Sequence, residues 1–267
     1  MLGELRCRKG RINNTKIVGD VFIKTAVRVE SDERLRLKRE RWALNIAKEK
    51  EVSVPKVIDY YLDDKGREVL KLEAIPAKTL SAFPVKSQAE VMWKVGSEIL
   101  RLKSVSKKFG WPDPNTLEGE FDEWKLFLYK FTGIYSGRLV ERHIIQNDFA
   151  IGLLKRITRF DFEIVESDLV HRDIKANNVL CSEDLTRYWI VDWENCLLGD
   201  QLFDIAVYSA NYGRDRLWKA LVEGSRSPSV ESDKYKLYEA IALIGTIDFY
   251  RKQGMNYSQK VTKLLRL

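Results

Sequence analysis

The run His171-Arg172-Asp173-Ile174-Lys175-Ala176-Asn177-Asn178-Val179-Leu180 decides how the rest of the chain is read. Apolar Leu169-Val170 precedes it, and Val179-Leu180-Cys181 closes it. Between them lies a polar loop with a carboxylate, Asp173, and an amide, Asn178, five residues later. Asp192 ends a second apolar run, Trp189-Ile190-Val191. Taken singly, each is an ordinary turn or cap residue. Together they form the set that phosphoryl transfer from a nucleotide needs. One carboxylate orients or deprotonates the attacking hydroxyl. Hard oxygen ligands, here an Asn carbonyl and an Asp carboxylate, hold Mg²⁺.

Composition narrows the setting. A chain of 267 residues with 45% hydrophobic and 32% charged residues can build a sizeable core. No apolar run approaches the roughly 18 residues of a membrane-spanning helix, and the start MLGELRCRKG has no signal-like apolar segment. Cys7, Cys181 and Cys196 share no metal-like spacing and read as reduced thiols in the cytoplasm. The net charge of +7 is uneven. Residues 1–110 carry 25 Lys and Arg against 15 Asp and Glu, and residues 111–267 carry 21 against 24. A uniformly basic chain would point to nucleic acid; a basic first part with a mildly acidic second part does not.

There are no internal repeats or low-complexity segments. VFIKTAV (21–27) reads as a strand behind a Gly19-Asp20 hairpin turn. Residues 31–50 read as a helix capped by Ser31 or Asp32, with Leu35, Trp42, Leu44 and Ile46 as its apolar side. Residues 54–63 and 67–75 read as strands around Asp64-Lys65-Gly66. After Pro76 the spacing predicts helices over 87–105, 121–131 and 138–160, and again from Phe203 onward. The expectation is an α+β chain in two lobes, 1–75 and 76–267, joined near 73–77, with a cleft between them suited to a small molecule.

HRDIKANNVL is similar to the catalytic loop H-R-D-x-x-x-x-N of protein kinases, and to the matching loop of aminoglycoside phosphotransferases and choline kinases. IVDWENCLLGDQLFDIA (190–206) resembles the phosphotransferase version: Asp192 and Asp204 are only 12 residues apart, leaving no room for the activation segment of a protein kinase. The resemblance implies a protein-kinase-like two-lobe fold, a small antiparallel sheet N-lobe plus a mainly helical C-lobe. It implies transfer of a γ-phosphoryl group from ATP, with GTP as the other candidate, using Mg²⁺. Asp173 would be the catalytic carboxylate, Lys175 would neutralise the transferred group, and Asn178 and Asp192 would hold the metal. VFIK (21–24) is similar to the V-A-I-K strand, which makes Lys24 the phosphate lysine. RERWAL (39–44) makes Glu40 its ion-pair partner. KGRINNTKI (9–17) resembles the phosphate-covering turn, with Gly10, Asn13, Asn14 and Thr15, although G-x-G-x-x-G is absent and a plain hairpin reads the same. LKLEAIPAKTL (70–80) is similar to the inter-lobe connector, with the Glu73 carbonyl and the Ile75 N–H on the adenine edge. His171 and Asp204 would brace the loop. Arg172 departs from the small residue usual in the phosphotransferases, and the expectation for it is contacts within its lobe.

The implied partner is a small-molecule hydroxyl acceptor, with no nucleic acid and no membrane; the oligomeric state is left open. Asp113, Glu118, Glu120, Asp122, Glu123 and Trp124 suit a cationic amine such as an aminoglycoside or choline. The plain alternative is a capped surface helix with Trp124 in the core, and a sugar or nucleoside is a further acceptor class. Arg172 and Lys175 keep a Ser/Thr protein acceptor in view. The rival from another class is a non-catalytic nucleotide-binding protein, against which stands the full set of Lys24, Asp173, Asn178 and Asp192.

Overall fold

The computed structural model describes residues 7–9, 13–27, 35–113, 115–164, 166–227 and 230–267. Gly10 and the candidate caps Ser31 and Asp32 lie outside them. Strands β1 (Cys7–Lys9), β2 (Asn13–Val18) and β3 (Val21–Ala26) come first. Helix α1 (Arg36–Glu49), β4 (Val57–Leu62) and β5 (Glu68–Glu73) complete the first half. The five strands form one antiparallel sheet in the order β1-β2-β3-β5-β4. The Gly19-Asp20 turn closes β2 on β3 with Val18 opposite Val21, and Gly19 takes the positive φ, +60°, that such a tight turn favours. Asn14 and Thr15 lie inside β2, opposite Thr25 and Lys24, and not in the turn.

Period-two alternation puts Phe22, Lys24 and Ala26 on the face of β3 that is packed or buried. Helix α1 buries Leu37, Glu40, Leu44 and Ala47, a 3-4-3 spacing that forms one stripe. One charged residue therefore sits in the apolar line of each element. The first turn of α1 has no side-chain cap of its own. Glu68 of β5 supplies it from across the sheet: its carboxylate accepts the Lys38 N–H at 2.8 Å and the Tyr60 hydroxyl at 3.2 Å. A carboxylate there meets both an orphan donor and the positive end of the helix.

Beyond β5 the chain becomes helical. A short strand β6 (Lys78–Thr79) precedes α2 (Val85–Ile99), α3 (Trp124–Glu141) and α4 (Asn147–Arg159). Strands β7 (Asp168–Val170), β8 (Val179–Cys181), β9 (Tyr188–Ile190) and β10 (Leu197–Gly199) follow. Helices α5 (Leu202–Tyr212), α6 (Arg216–Gly224), α7 (Asp233–Lys252) and α8 (Ser258–Leu264) end the chain. The sequence spacing divides 121–160 differently from the structure. Helix α3 runs on to Glu141, through Gly133 and Gly137, whose weak propensity hides the continuation. The chain then breaks around His143, at φ +55°, before α4. Packing decides this: α3 lies on α7, where a Cβ on Gly245 would meet Phe131 at 2.9 Å.

Trp124 anchors the helical core. It stacks on Phe127 at 5.2 Å, meets Phe203 and Tyr238 edge-on, and donates its indole N–H to the Tyr238 hydroxyl at 2.7 Å. Helices α2 and α6 touch backbone to backbone: a Cβ on Gly224 would lie 1.9 Å from the Trp93 carbonyl oxygen. Among the described residues no helix is long and apolar enough to cross a membrane.

Candidate active site

Two loops meet because their flanking strands pair. Residues 171–178 join β7 to β8, and 191–196 join β9 to β10. Val170 pairs with Leu197 and Val179 with Ile190, so the loops lie side by side. The Val191 N–H donates to the Asn178 backbone carbonyl at 2.9 Å, and His171 Nε2 lies 3.0 Å from the Val191 carbonyl. The Asp173 N–H donates to His171 Nδ1 at 3.2 Å. His171 thus ties both loops together. Its ring packs 4.4 Å from Trp193. Asp204, in the first turn of α5, accepts the backbone N–H groups of His171 at 3.0 Å and Arg172 at 2.6 Å. His171 and Asp204 thus brace the loop.

Arg172 and Asp192 both adopt left-handed backbone, φ +64° and +69°. Non-glycine residues hold that conformation only where surrounding contacts impose it. The Arg172 guanidinium turns into the helical half, 4.4 Å over Trp111 and 5.5 Å over Phe131. Its Nε and Nη1 are buried without a hydrogen-bond partner, and burial pushes its pKa down to about 10.

The Asp173 Oδ2 accepts Lys175 Nζ at 2.6 Å and Asn178 Nδ2 at 2.9 Å. Asn178 Nδ2 also donates to the Asp173 carbonyl at 2.9 Å. With its amide nitrogen held there, Asn178 Oδ1 has no partner among the described residues. Across the cleft Lys24 Nζ holds Glu40 at 2.7 Å, Asp192 Oδ1 at 2.8 Å and Glu194 at 3.6 Å. The three carboxylates lie within 4.8 Å of one another. Burial alone would discharge Lys24, but Glu40, Asp192 and Glu194 outweigh it and keep the amine a cation. Burial pushes the Glu40 carboxyl up to about 7 against the pull of Lys24, helped by the charges of Asp192 and Glu194. For Asp192 burial also acts upward, but the Lys24 ammonium prevails and holds it below the usual carboxylate range; His171 and Lys175 add to that pull. Asp192 Oδ2 stays without a partner among the described residues, on a side chain 38% exposed. Two uncommitted hard oxygens, one from Asn178 and one from Asp192, fit the donor chemistry of Mg²⁺.

The structure brings Lys24, Glu40, Asp173, Lys175, Asn178 and Asp192 to one cleft. Glu73 and Ile75 lie where β5 leaves the sheet: the Ala74 N–H donates to the Asp20 carbonyl at 2.7 Å, and the Ile75 carbonyl accepts from Ala77 at 2.8 Å. Glu194 is the residue sequence reasoning leaves without a role. It stands two positions past Asp192 and accepts Asn13 Nδ2 at 2.5 Å, tying β2 to the cleft. Within the acid-rich stretch 113–124, Asp122 pairs with Lys108, Glu120 pairs with Lys130, and Asp113 accepts the Asn115 and Thr116 N–H groups of its own turn. Glu118 and Glu123 are exposed. Trp124 is in the core, 1% exposed, at the start of α3.

A profile of the phosphotransferase enzyme family (APH) matches residues 5–227. The chain belongs to this family. A search of curated proteins finds no match. Among solved structures, this phosphotransferase is similar to a thermostable mutant of the aminoglycoside phosphotransferase APH(4)-Ia in its apo form. That match has 15% identity and a TM-score of 0.76, and covers 99% of this chain and 94% of that one. It is also similar to a putative fructosamine-3-kinase from Haemophilus somnus 129PT, at 16% identity and a TM-score of 0.70, covering 100% and 91%. A choline/ethanolamine kinase family protein from Mesorhizobium loti matches at 16% identity and a TM-score of 0.66, covering 99% and 86%. The fold is protein-kinase-like α+β, as the catalytic-loop resemblance implies.

Proposed function

We propose that this phosphotransferase moves the γ-phosphoryl group of ATP to a hydroxyl of a small molecule, in the cytoplasm. Lobes 1–75 and 76–267 would contribute the nucleotide and acceptor sides. The observation that carries the reading is the convergence of Lys24, Asp173, Asn178 and Asp192 on one cleft. Asp173 orients the acceptor hydroxyl and takes its proton as transfer proceeds. Little proton abstraction is needed early, because the transition state is loose and catalysis is mostly positioning and charge neutralisation. Lys175, already on the Asp173 carboxylate, is placed to follow the charge of the transferred group. Lys24 grips the α/β-phosphates, and Glu40 holds its amine in place. Asn178 Oδ1 and Asp192 Oδ2 would hold Mg²⁺, which would supply charge to offset that of the phosphates. The Glu73 carbonyl and Ile75 N–H receive the adenine edge, with Asn14, inside β2, and Gly10, outside the described residues, as the candidate phosphate contacts.

A solved complex of APH(4)-Ia holds AMP-PNP and hygromycin B, which supports pairing a nucleotide with a small-molecule acceptor. A GDP complex of an aminoglycoside phosphotransferase keeps GTP as the other nucleotide to assay. The short span from Asp192 to Asp204 is taken up by Trp193, Cys196, β10 and the start of α5, all buried, which argues against a protein-kinase activation segment. Unpaired, buried Cys181 and Cys196 accord with a reducing compartment.

The test is nucleotide turnover with Mg²⁺ against aminoglycosides, choline-like amines, sugars and casein, for wild type and Asp173→Ala. Acceptor-dependent ADP release that disappears in the variant supports the reading. Turnover on casein alone moves the protein to the protein-kinase branch. An unchanged Asp173→Ala rate removes Asp173 from its role.

A further inference from the structure

Trp111 lies in no helix or strand and takes part in no step above, yet both sides of the cleft reach it. Arg39 of α1 places its guanidinium 5.5 Å over the Trp111 ring, and Arg172 of the catalytic loop places its own 4.4 Å over the same ring. Each arginine stands directly before a residue of the site. Arg39 precedes Glu40, the partner of Lys24, and Arg172 precedes Asp173. Neighbouring side chains on a helix are fixed about 100° apart, so holding Arg39 also fixes how Glu40 presents to Lys24. In the loop, Asp204 holds the Arg172 N–H at 2.6 Å, and the Arg172 φ is +64°. With its backbone pinned and its side chain held over Trp111, Arg172 sets the direction in which Asp173 leaves the chain.

The ring is mounted on a rigid post. Gly110 exchanges two backbone hydrogen bonds with Leu198 of β10, at 2.8 and 2.9 Å. Its φ is +101°, and a Cβ there would lie 3.0 Å from the Phe127 ring, so glycine lets the chain pass this close to α3. Trp111 then meets Phe127 of α3 edge-on at 6.1 Å. Strand β10 pairs with β7, which leads into the catalytic loop. The post and the loop therefore stand on the same small sheet.

Two cations over one ring repel each other. Burial lowers the Arg172 pKa, and the Arg39 charge acts in the same direction. Arg172 Nε and Nη1 have no hydrogen-bond partner to offset this. The electron-rich face of the indole is what compensates. Without it, the two charges would push α1 and the loop apart.

We infer that Trp111 is a positioning residue that registers the nucleotide side of the cleft against the acceptor side, acting through Arg39 on the Lys24–Glu40 pair and through Arg172 on Asp173. This rests on the phosphotransferase reading and adds a residue to its machinery.

The experiment uses wild type, Trp111→Phe, Trp111→Leu, Arg39→Met, Arg172→Met and the double variant Trp111→Leu/Arg172→Met. One readout is the Kd of Mg²⁺-AMP-PNP by titration calorimetry. The other is kcat for Mg²⁺-dependent ADP release, with the best acceptor of the panel above or with water where none serves. In Trp111→Leu, kcat should fall about tenfold, the scale of a buried cation–π contact, and Kd should rise several-fold. Trp111→Phe, which keeps a ring, should stay within about twofold of wild type on both, the residue of a smaller cation–π face. Arg39→Met should raise Kd alone, and Arg172→Met should lower kcat alone. In the double variant kcat should fall no further than in the worse single variant, because both remove one link. Should Trp111→Leu not fold, the split between Arg39→Met and Arg172→Met decides: each must move its own readout.

The inference is overturned by a Trp111→Leu loss confined to one readout, by Trp111→Phe as impaired as Trp111→Leu, or by multiplying losses in the double variant. If Asp173→Ala abolishes turnover while Trp111→Leu matches wild type, this inference fails and the phosphotransferase reading stands. If no Asp173-dependent turnover occurs with any acceptor or with water, both fall.

Discussion

The sheet half and the helical half of this protein are held together by different physics. In the sheet half the critical contact between β3 and α1 is a buried ion pair, Lys24 with Glu40, to which Asp192 and Glu194 add from across the cleft. In the helical half the centre is aromatic: Trp124 among Phe127, Phe203 and Tyr238, with one indole hydrogen bond. Aromatic packing needs no counter-charge and is indifferent to pH. A buried charge cluster is expensive to desolvate and is a poor way to gain stability alone. Its place where the two halves meet marks where the fold accepts that cost to keep Lys24 charged.

The largest effect expected is on rate alone. Asp173→Ala should lower kcat by about a thousandfold, within the usual range for a lost proton acceptor, while Mg²⁺-ATP still raises the melting temperature. An equal fall in nucleotide binding would mean that Asp173 holds the loop together and does not act on the acceptor. Next, Trp124→Ala should cost about 4 kcal/mol by cavity formation, with the same loss at pH 5.5 and pH 8 in urea denaturation. A pH-dependent loss would show that the Trp124 centre is coupled to the Tyr238–Asp200–Lys234 chain beside it.

Lys24→Met should cost about 3 kcal/mol at pH 8, because it strands three neighbouring carboxylates. Its pH dependence separates the two halves. In wild type, Glu40 is pushed up to about 7 from an ordinary 4.5, so its contribution is present below 4.5 and lost as pH rises through 7. Asp192 lies below its ordinary 3.8, so its contribution holds above that value and is lost as pH falls further. Without Lys24 the carboxyls all rise, so the deficit of the variant should shrink towards pH 5.5. A deficit that stays constant between pH 5.5 and 8 would mean that lost packing, not stranded charge, dominates. The smallest effect is Glu68→Gln, which keeps an acceptor for the Lys38 N–H but removes its charge at the start of α1. A loss of about 1 kcal/mol is expected, read as a shift in the urea midpoint, and no change would mean that the helix end is satisfied by Tyr60 and water.

The catalytic loop was readable because its members are close in sequence: Asp173 and Asn178 belong to one loop, and Asp192 ends the neighbouring strand run. The Lys24–Glu40 pair was readable only through the resemblance of VFIK and RERWAL to the matching strand and helix of the family. Glu194 escaped, although Asp-Trp-Glu was in view, because its role depends on β2 reaching the loop after β9. The Glu68 cap of α1 is likewise invisible locally, since the helix start and its cap belong to different elements. Ala210 and Lys260 are 50 residues apart and meet only when α8 folds back on the end of α5. The local pairing of Asp122 with Lys108 and Glu120 with Lys130 was not legible, because composition shows charge but not which lysines lie beside it.

Helix α5 can also be read as a gauge. Its eleven residues span about 16 Å, with the catalytic loop pinned at one end by Asp204 and the phenol of Tyr212 at the other. The separation between the Asp204 brace and Tyr212 is thus set by the length of one rigid rod. Adding or deleting a single residue in the last turn of α5 would swing the Tyr212 ring by roughly 100° and 1.5 Å while leaving the loop where it is. The far end of the helix could then change within this scaffold by small insertions, with the Asp204 brace untouched.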